Sequence, residues 1–224
     1  EGEEGTEGRF ARLLNVVGAL VKEDNWLPDC YRVAGEEYRQ YLLYCDPLGR
    51  YSIVCFVWSR GQATPVHDHG AYSSWGERIG VIGQMIGSER EDAYAYDGTT
   101  VRFLNKGKPA LPGDVAVVGV QDIHRVINVS EDSGPSISIH IYGNDIGRQE
   151  RYVYDPLNNA RSAFVSGYSE GPPPLLIHHQ RSSDRGLVLA EDEQQISFDA
   201  VRGHLAAAFR GEEEVAFLDV RSLR

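Results

Sequence analysis

The chain has 224 residues, with 33 acidic against 22 basic side chains and a formal net charge of -11. Phosphate contacts need clustered Lys and Arg, and here the basic residues are scattered singly, so nucleic acid and anionic membranes are excluded as expected partners in favour of small molecules or proteins. A hydrophobic content of 42% with 3 Trp, 7 Phe and 12 Tyr suffices to bury a core, which excludes disorder throughout.

In chain order, Glu1 to Gly8 holds only Glu and Gly apart from Thr6 and reads as a disordered acidic tail. From Arg9 to Lys22, Phe10, Leu13, Leu14, Val17, Leu20 and Val21 recur at spacings of three and four, the stripe of an amphipathic helix that packs on a core. After Leu27-Pro28-Asp29 the texture becomes strand-like. Short strands are expected at Tyr41 to Cys45, Tyr51 to Trp58, Arg78 to Gly83, Asp92 to Tyr96, Thr100 to Leu104, Val115 to Gly119, His124 to Val129, Ser136 to Tyr142 and Arg151 to Tyr154. Turns such as Asp46-Pro47-Leu48-Gly49 and Leu111-Pro112-Gly113-Asp114 separate them. Many short strands at turn-separated intervals predict an all-β domain, an antiparallel jelly-roll barrel, with an N-terminal helix.

Past Tyr168, the run Gly171-Pro172-Pro173-Pro174 opens a linker over 169–195, and 196–224 holds one helix, Phe198 to Phe209, and one strand, Val215 to Leu218. That C-terminal α/β extension is too small to fold alone. Cys30, Cys45 and Cys55 have no zinc or redox spacing, and no apolar run approaches a membrane span of roughly 18 residues. Free thiols and a cytoplasmic location are the expectation; the lack of Met before Glu1 fits a native start further upstream.

Three histidines carry the chemistry. In Pro65-Val66-His67-Asp68-His69, the period-2 geometry of a strand puts His67 and His69 on one face and Asp68 on the other, and His124 on a later strand would complete a facial metal site. Three neutral imidazoles suit catalytic zinc, or iron with three open positions, and ligand type alone does not choose. Glu77, eight residues past His69, is a candidate fourth ligand or a solvated loop charge. Alternation likewise aligns Ser138, His140 and Tyr142 on one strand face, where buried polar groups must satisfy one another. A hydrolase is not indicated, because the G-x-S-x-G nucleophile elbow is missing.

The ordered set Gly61-Gln62-Ala63-Thr64-Pro65-Val66-His67-Asp68-His69, Ile123-His124-Arg125-Val126-Ile127-Asn128 and Ser138-Ile139-His140-Ile141-Tyr142-Gly143 resembles the cupin thiol dioxygenases, the family of cysteine dioxygenase and 3-mercaptopropionate dioxygenase. The resemblance runs from about Leu27 to Tyr168 and implies a cupin domain over 9–168. It implies a non-haem Fe(II) held by His67, His69 and His124, adding both atoms of O2 to a small thiol to give a sulfinate. Tyr142 would then hydrogen-bond the substrate or oxygen, with His140 and Ser138 orienting the phenol.

The family divides by an Arg or a Gln on an early strand. The surroundings favour Gln40 over Arg39 at that point, as in the 3-mercaptopropionate type, where Arg151 would clamp the carboxylate with Arg148 as near competitor. Gly70-Ala71-Tyr72-Ser73-Ser74 lacks the Cys that crosslinks to the tyrosine in some members. The segment Ala71 to Arg78 is longer than usual, and Tyr72 and Trp75 are expected to line the pocket. Two alternatives stay open beside 3-mercaptopropionate oxidation: a cysteine dioxygenase, and a non-catalytic metal-binding or ligand-sensing cupin. Finally, Ile196-Ser197-Phe198-Asp199-Ala200-Val201-Arg202 and Val215-Ala216-Phe217-Leu218-Asp219-Val220-Arg221 resemble the first helix and strand of a rhodanese, which implies a fused sulfurtransferase domain.

Overall fold

A computed structural model describes residues 3–132 and 134–171. The rhodanese-like segment over 196–224 and the linker from Pro172 onward lie outside the described residues. The first element is helix α1, Glu3–Leu20. It starts six residues earlier than the stripe predicts and takes in most of the stretch read as a disordered tail. Glu is a strong helix former, so a Glu-rich lead extends a helix that packing has already nucleated. The stripe does what its spacing demands: Phe10, Leu13, Val17, Leu20 and Val21 are all buried.

Eleven strands follow: β1 Arg39–Cys45, β2 Ser52–Trp58, β3 Val66–His67, β4 Arg78–Ile86, β5 Glu89–Tyr96, β6 Val101–Ala110, β7 Val115–Gly119, β8 Ile123–Asn128, β9 Ser136–Tyr142, β10 Arg151–Asp155 and β11 Ala160–Phe164. Every predicted strand is present, several with longer ends. Strand β11 was not predicted, because Ala160-Arg161-Ser162-Ala163-Phe164 is largely solvent-facing and lacks a buried alternation. It exists because the turn at Asn159 returns the chain to pair with β10, Asp155 opposite Ala160 and Arg151 opposite Phe164.

All ladders are antiparallel, in one sheet of order β1-β2-β9-β4-β7 and a second of order β11-β10-β3-β8-β5-β6. The two sheets enclose an inner core of Val54, Phe56, Trp58, Ile79, Val118, Val126, Tyr142 and Ile146, with residues from both. On the other face of the first sheet, Ile53, Cys55, Val57, Val81, Ile137, Ile139 and Ile141 meet the α1 stripe. Strands β2 and β9 are therefore buried along their whole length, one face under the helix and the other inside the barrel. Gly83 permits the close seat of α1, since a Cβ there would come within 2.7 Å of the Val17 and Val21 methyls. This is a cupin jelly roll with an N-terminal helix packed on its outer face.

Candidate metal centre

Strand β3 is only two residues long, yet it sets the site. His67 pairs directly with His124 of β8, and the next side chain on that face is His69. Ring centroids lie 4.8 Å apart for His67 and His124, 5.1 Å for His67 and His69, and 4.6 Å for His69 and His124. One ring nitrogen from each falls within 4.8 Å of the others, and all three residues are buried. Asp68 points the other way, as alternation requires. Its carboxylate accepts hydrogen bonds from the Gly70 and Tyr152 N–H groups at 3.2 and 3.0 Å and from the Tyr154 hydroxyl at 2.7 Å. This anchor holds β3 against β10 and keeps the H-x-H geometry beyond the end of the ladder. At Gly70, with φ of 80°, the chain then turns in a conformation that favours glycine.

The ring nitrogens are prepared for ligation. His67 Nδ1 is 3.0 Å from the Pro65 carbonyl, which selects the Nδ1–H tautomer and frees Nε2. Glu91 Oε1 lies 2.9 Å from His124 Nδ1, a close contact outside hydrogen-bond geometry. Burial pushes the Glu91 carboxyl up, but the adjacent His124 outweighs it and holds it below the usual range. His69 is fully buried, and neither of its ring nitrogens has a partner. Burial, reinforced by the neighbouring imidazoles, pulls the His67 and His69 pKa values far down, so both are neutral donors at pH 7. An orphaned buried imidazole costs roughly 1–3 kcal/mol unless something ligates it. The three-histidine set fits a divalent first-row metal ion, with no carboxylate to reduce its charge.

Beside the histidines, the inner face of β9 carries a continuous hydrogen-bonded line. Ser138 Oγ is 2.9 Å from His140 Nε2, and His140 Nδ1 is 2.9 Å from the Tyr142 hydroxyl. The Tyr142 ring stacks near His69 with centroids 5.9 Å apart. Burial drops the His140 pKa to about 3, so the ring is neutral, and burial raises that of the Tyr142 phenol, so it keeps its proton.

The two expected substrate-binding residues also come together. Arg151 and Gln40 are both buried, and both donate to Ser166 Oγ, at 2.7 and 3.3 Å. Val153 pairs with His67 and the Tyr152 carbonyl accepts from Asp68 N–H, so the antiparallel count sets Arg151 across from His69. Its charge is felt by His67, His69 and Tyr142. Among the described residues Arg151 has no carboxylate partner, and its Nε has no hydrogen bond. Burial pulls its pKa down, although a guanidinium keeps its charge in proteins. Its ring neighbour is Phe164, whose centroid lies 4.8 Å below the guanidinium carbon.

Five other candidates separate from the site. Glu77 is exposed and outside the histidine cluster, because the turn before β4 carries it outward; it is no fourth ligand. Arg148 is 87% exposed and 3.6 Å from Asp145, so it is a surface ion pair and not the competitor to Arg151. Arg39 is exposed while Gln40 is buried, as strand alternation requires. Tyr72 and Trp75 do not line the inner cavity. Tyr72 is solvent-exposed, and Trp75 packs edge-on against Phe10 of α1, because the longer loop folds over the helix side of the sheet.

Sequence reasoning missed Glu89, Glu91 and Ser166. Glu89 and Glu91 lie in the charged run Glu89-Arg90-Glu91-Asp92, which reads as a solvated turn until β5 is extended back to Glu89. Ser166 follows the unpredicted β11.

Fold and site together define a cupin with a three-histidine candidate metal site. The chain belongs to the cysteine dioxygenase type I family, whose model matches residues 20–153. It is thus a member of a family of thiol dioxygenases that use a thiol and O2. Solved structures similar to this chain include TT1209 from Thermus thermophilus, with 14% identity over 52% of this chain and 92% of that one at a TM-score of 0.39. Others are an RmlC-like cupin from Ralstonia eutropha (16% identity, 59% and 70% coverage, TM-score 0.39) and a cupin 2 domain-containing protein from Halorhodospira halophila (16%, 49% and 65%, 0.35). No described helix is long and apolar enough to cross a membrane.

Proposed function

We propose that the protein is an Fe(II)-dependent dioxygenase converting a small thiol carboxylate and O2 to the sulfinic acid, with 3-mercaptopropionate preferred over cysteine. The observation that carries this reading is the buried Arg151, a cation with no carboxylate partner among the described residues, set across from the histidine cluster. His67, His69 and His124 would hold the iron, which when bound supplies a site for the thiol sulfur and the electrons that activate O2.

The chain's own residues do the rest. Arg151 binds the substrate carboxylate, and Ser166 fixes the guanidinium from behind. Gln40 holds the same loop through Ser166 and the Gly167 carbonyl at 3.2 Å. With one end of the substrate clamped, the sulfur is delivered to the histidine side. Tyr142 offers its phenol beside His69, and the inner core of Phe56, Trp58 and Val118 excludes water. Cysteine would bring an ammonium into this cationic region. The nearby carboxylates are already engaged, Asp68 by Gly70, Tyr152 and Tyr154, and Glu91 by His124. A thiol carboxylate lacking the ammonium avoids that cost.

Steady-state oxygen uptake by the iron-loaded protein with 3-mercaptopropionate, cysteine, cysteamine and mercaptosuccinate tests the reading. The expected order puts 3-mercaptopropionate first in kcat/KM, with stoichiometric sulfinate. A preference for cysteine overturns the substrate assignment. Oxygen uptake with none of the thiols leaves a metal-binding cupin without this activity.

A further inference from the structure

Glu89 opens β5 and is 5% exposed, with its carboxylate inside the barrel. Ser136 Oγ donates to its Oε1 at 2.8 Å, and Ser138 Oγ lies 2.9 Å from its Oε2. The groups around it are neutral: Ser136, Ser138 and, beyond, His140 and Tyr142 on β9, Gln84 on β4 bonded to Ser136 at 2.8 Å, Asn128 opposite it on β8, and Cys55 on β2. Among the described residues no Lys, Arg or His pairs with it. Burial raises its pKa to about 7, against the downward pull of the Ser136, Ser138 and Gln84 hydrogen bonds. A buried carboxylate with no cation, joined end-on to the Ser138–His140–Tyr142 line, is not needed for packing or for ligation.

The hydrogen-bond inventory of that line allows two states. With Glu89 ionised, Ser138 must donate to it, so Ser138 accepts from His140 Nε2–H, and the bare His140 Nδ1 accepts from the Tyr142 hydroxyl. The phenol then shows only lone pairs to the site. With Glu89 protonated, every bond reverses: the carboxyl donates to Ser138, Ser138 to His140 Nε2, and His140 Nδ1–H to the Tyr142 oxygen. The phenol proton is then free to be donated into the site. We propose that Glu89 is the positioning residue at the far end of this relay, and that its protonation state decides whether Tyr142 accepts from or donates to the ligand.

Passage between the states carries one net proton along the line, and each O–H or N–H bond that breaks is replaced by one formed at the next atom. A proton shed in the site goes to the Tyr142 oxygen, the phenol proton to His140 Nδ1, the Nε2 proton to Ser138, and the serine proton to Glu89. If the function proposed above holds, the proton comes from the thiol as it becomes a thiolate; the switch in Tyr142 does not depend on that reading.

Infrared difference spectroscopy of the full chain, with and without iron and under argon, separates the two. Between about pH 5 and about pH 9 a protonated-carboxyl stretch should disappear with a midpoint near neutrality, and a ring mode of isotope-labelled tyrosine should shift with the same midpoint. Glu89→Gln should abolish both signals. Ser138→Ala should keep the carboxyl signal and lose the tyrosine shift, since it cuts the line without touching the acid. A carboxyl that stays ionised across the range, or a tyrosine shift that survives Ser138→Ala, overturns the proposal. In a weakly buffered, iron-loaded sample just above the midpoint, where Glu89 is ionised and can take up the proton, adding 3-mercaptopropionate should release less than one proton per bound thiol to solvent, and a full proton in Glu89→Gln. Equal release from both proteins overturns the thiol-proton route, whereas an absence of thiol binding would defeat the proposed function while the infrared result stands.

Discussion

On the outer side of β9, Ile137, Ile139 and Ile141 pack against the α1 stripe in an apolar layer. On its inner side, one residue away at every step, Ser136, Ser138, His140 and Tyr142 face Glu89, the His69 ring and the charge of Arg151. The outer layer carries the gain from burying apolar area, and the inner one spends part of it on groups that a purely structural core would not keep: an orphan imidazole, an unpaired guanidinium and an uncompensated carboxylate. The lesson is that one strand can divide stability from chemistry by alternation alone, provided that a helix covers its second face.

The sharpest way to break this division is His124→Ala, which should abolish iron retention and lower thiol-dependent oxygen uptake by at least about 10³-fold while the thermal transition stays cooperative. Metal analysis beside a calorimetric scan checks both halves. Next in size, Arg151→Ala should raise KM for 3-mercaptopropionate by about 10²- to 10³-fold and hardly change that for cysteamine. Equal effects on the two thiols would remove the clamp from Arg151.

Turning to the outer side, Ile139→Ala should cost about 3 kcal/mol in urea unfolding, yet leave the iron content of the folded fraction and KM unchanged. If KM rose along with the loss of stability, the two faces of β9 would not be separable.

The smallest effect is expected at Glu89. Its native pKa of about 7 lies above the ordinary 4.5, so between those values the native state binds more protons than the unfolded one and stability falls as pH rises. The stabilisation is complete below about pH 4.5 and lost through pH 7. Glu89→Gln should therefore flatten the pH dependence of stability over that window and gain on the order of 2 kcal/mol relative to the native protein at pH 8. Unfolding midpoints at pH 5 and pH 8 measure it.

The barrel and the paired histidines at β3 were legible because they are written in local periodicity. His67 and His69 two apart, Ser138, His140 and Tyr142 two apart, and the three-four stripe of α1 each fix a face without reference to the rest of the chain. Gln40 and Arg151 needed the family resemblance as well, because one buried polar residue on a strand has no periodicity of its own. Glu77 and Trp75 misled for the complementary reason: a loop residue's direction is set by what the loop packs on, and here that is Phe10 of α1. The charged run around Glu89 concealed buried Glu89 and part-exposed Glu91, since a turn and the first residues of a strand look alike when every side chain is charged.

By itself, then, the sequence determined the alternation of each strand, the helix stripe and the His67-Asp68-His69 pairing of two histidines on one face, all consequences of covalent spacing along one element. Tertiary structure alone decided that β3 sits between β8 and β10, so that His67 faces His124 and Arg151 comes across from His69. It also decided that Glu89 and Ser138, 49 residues apart, share a hydrogen bond. Such contacts depend on which strands become neighbours, and that choice is made by the packing of whole sheets rather than by any local pattern.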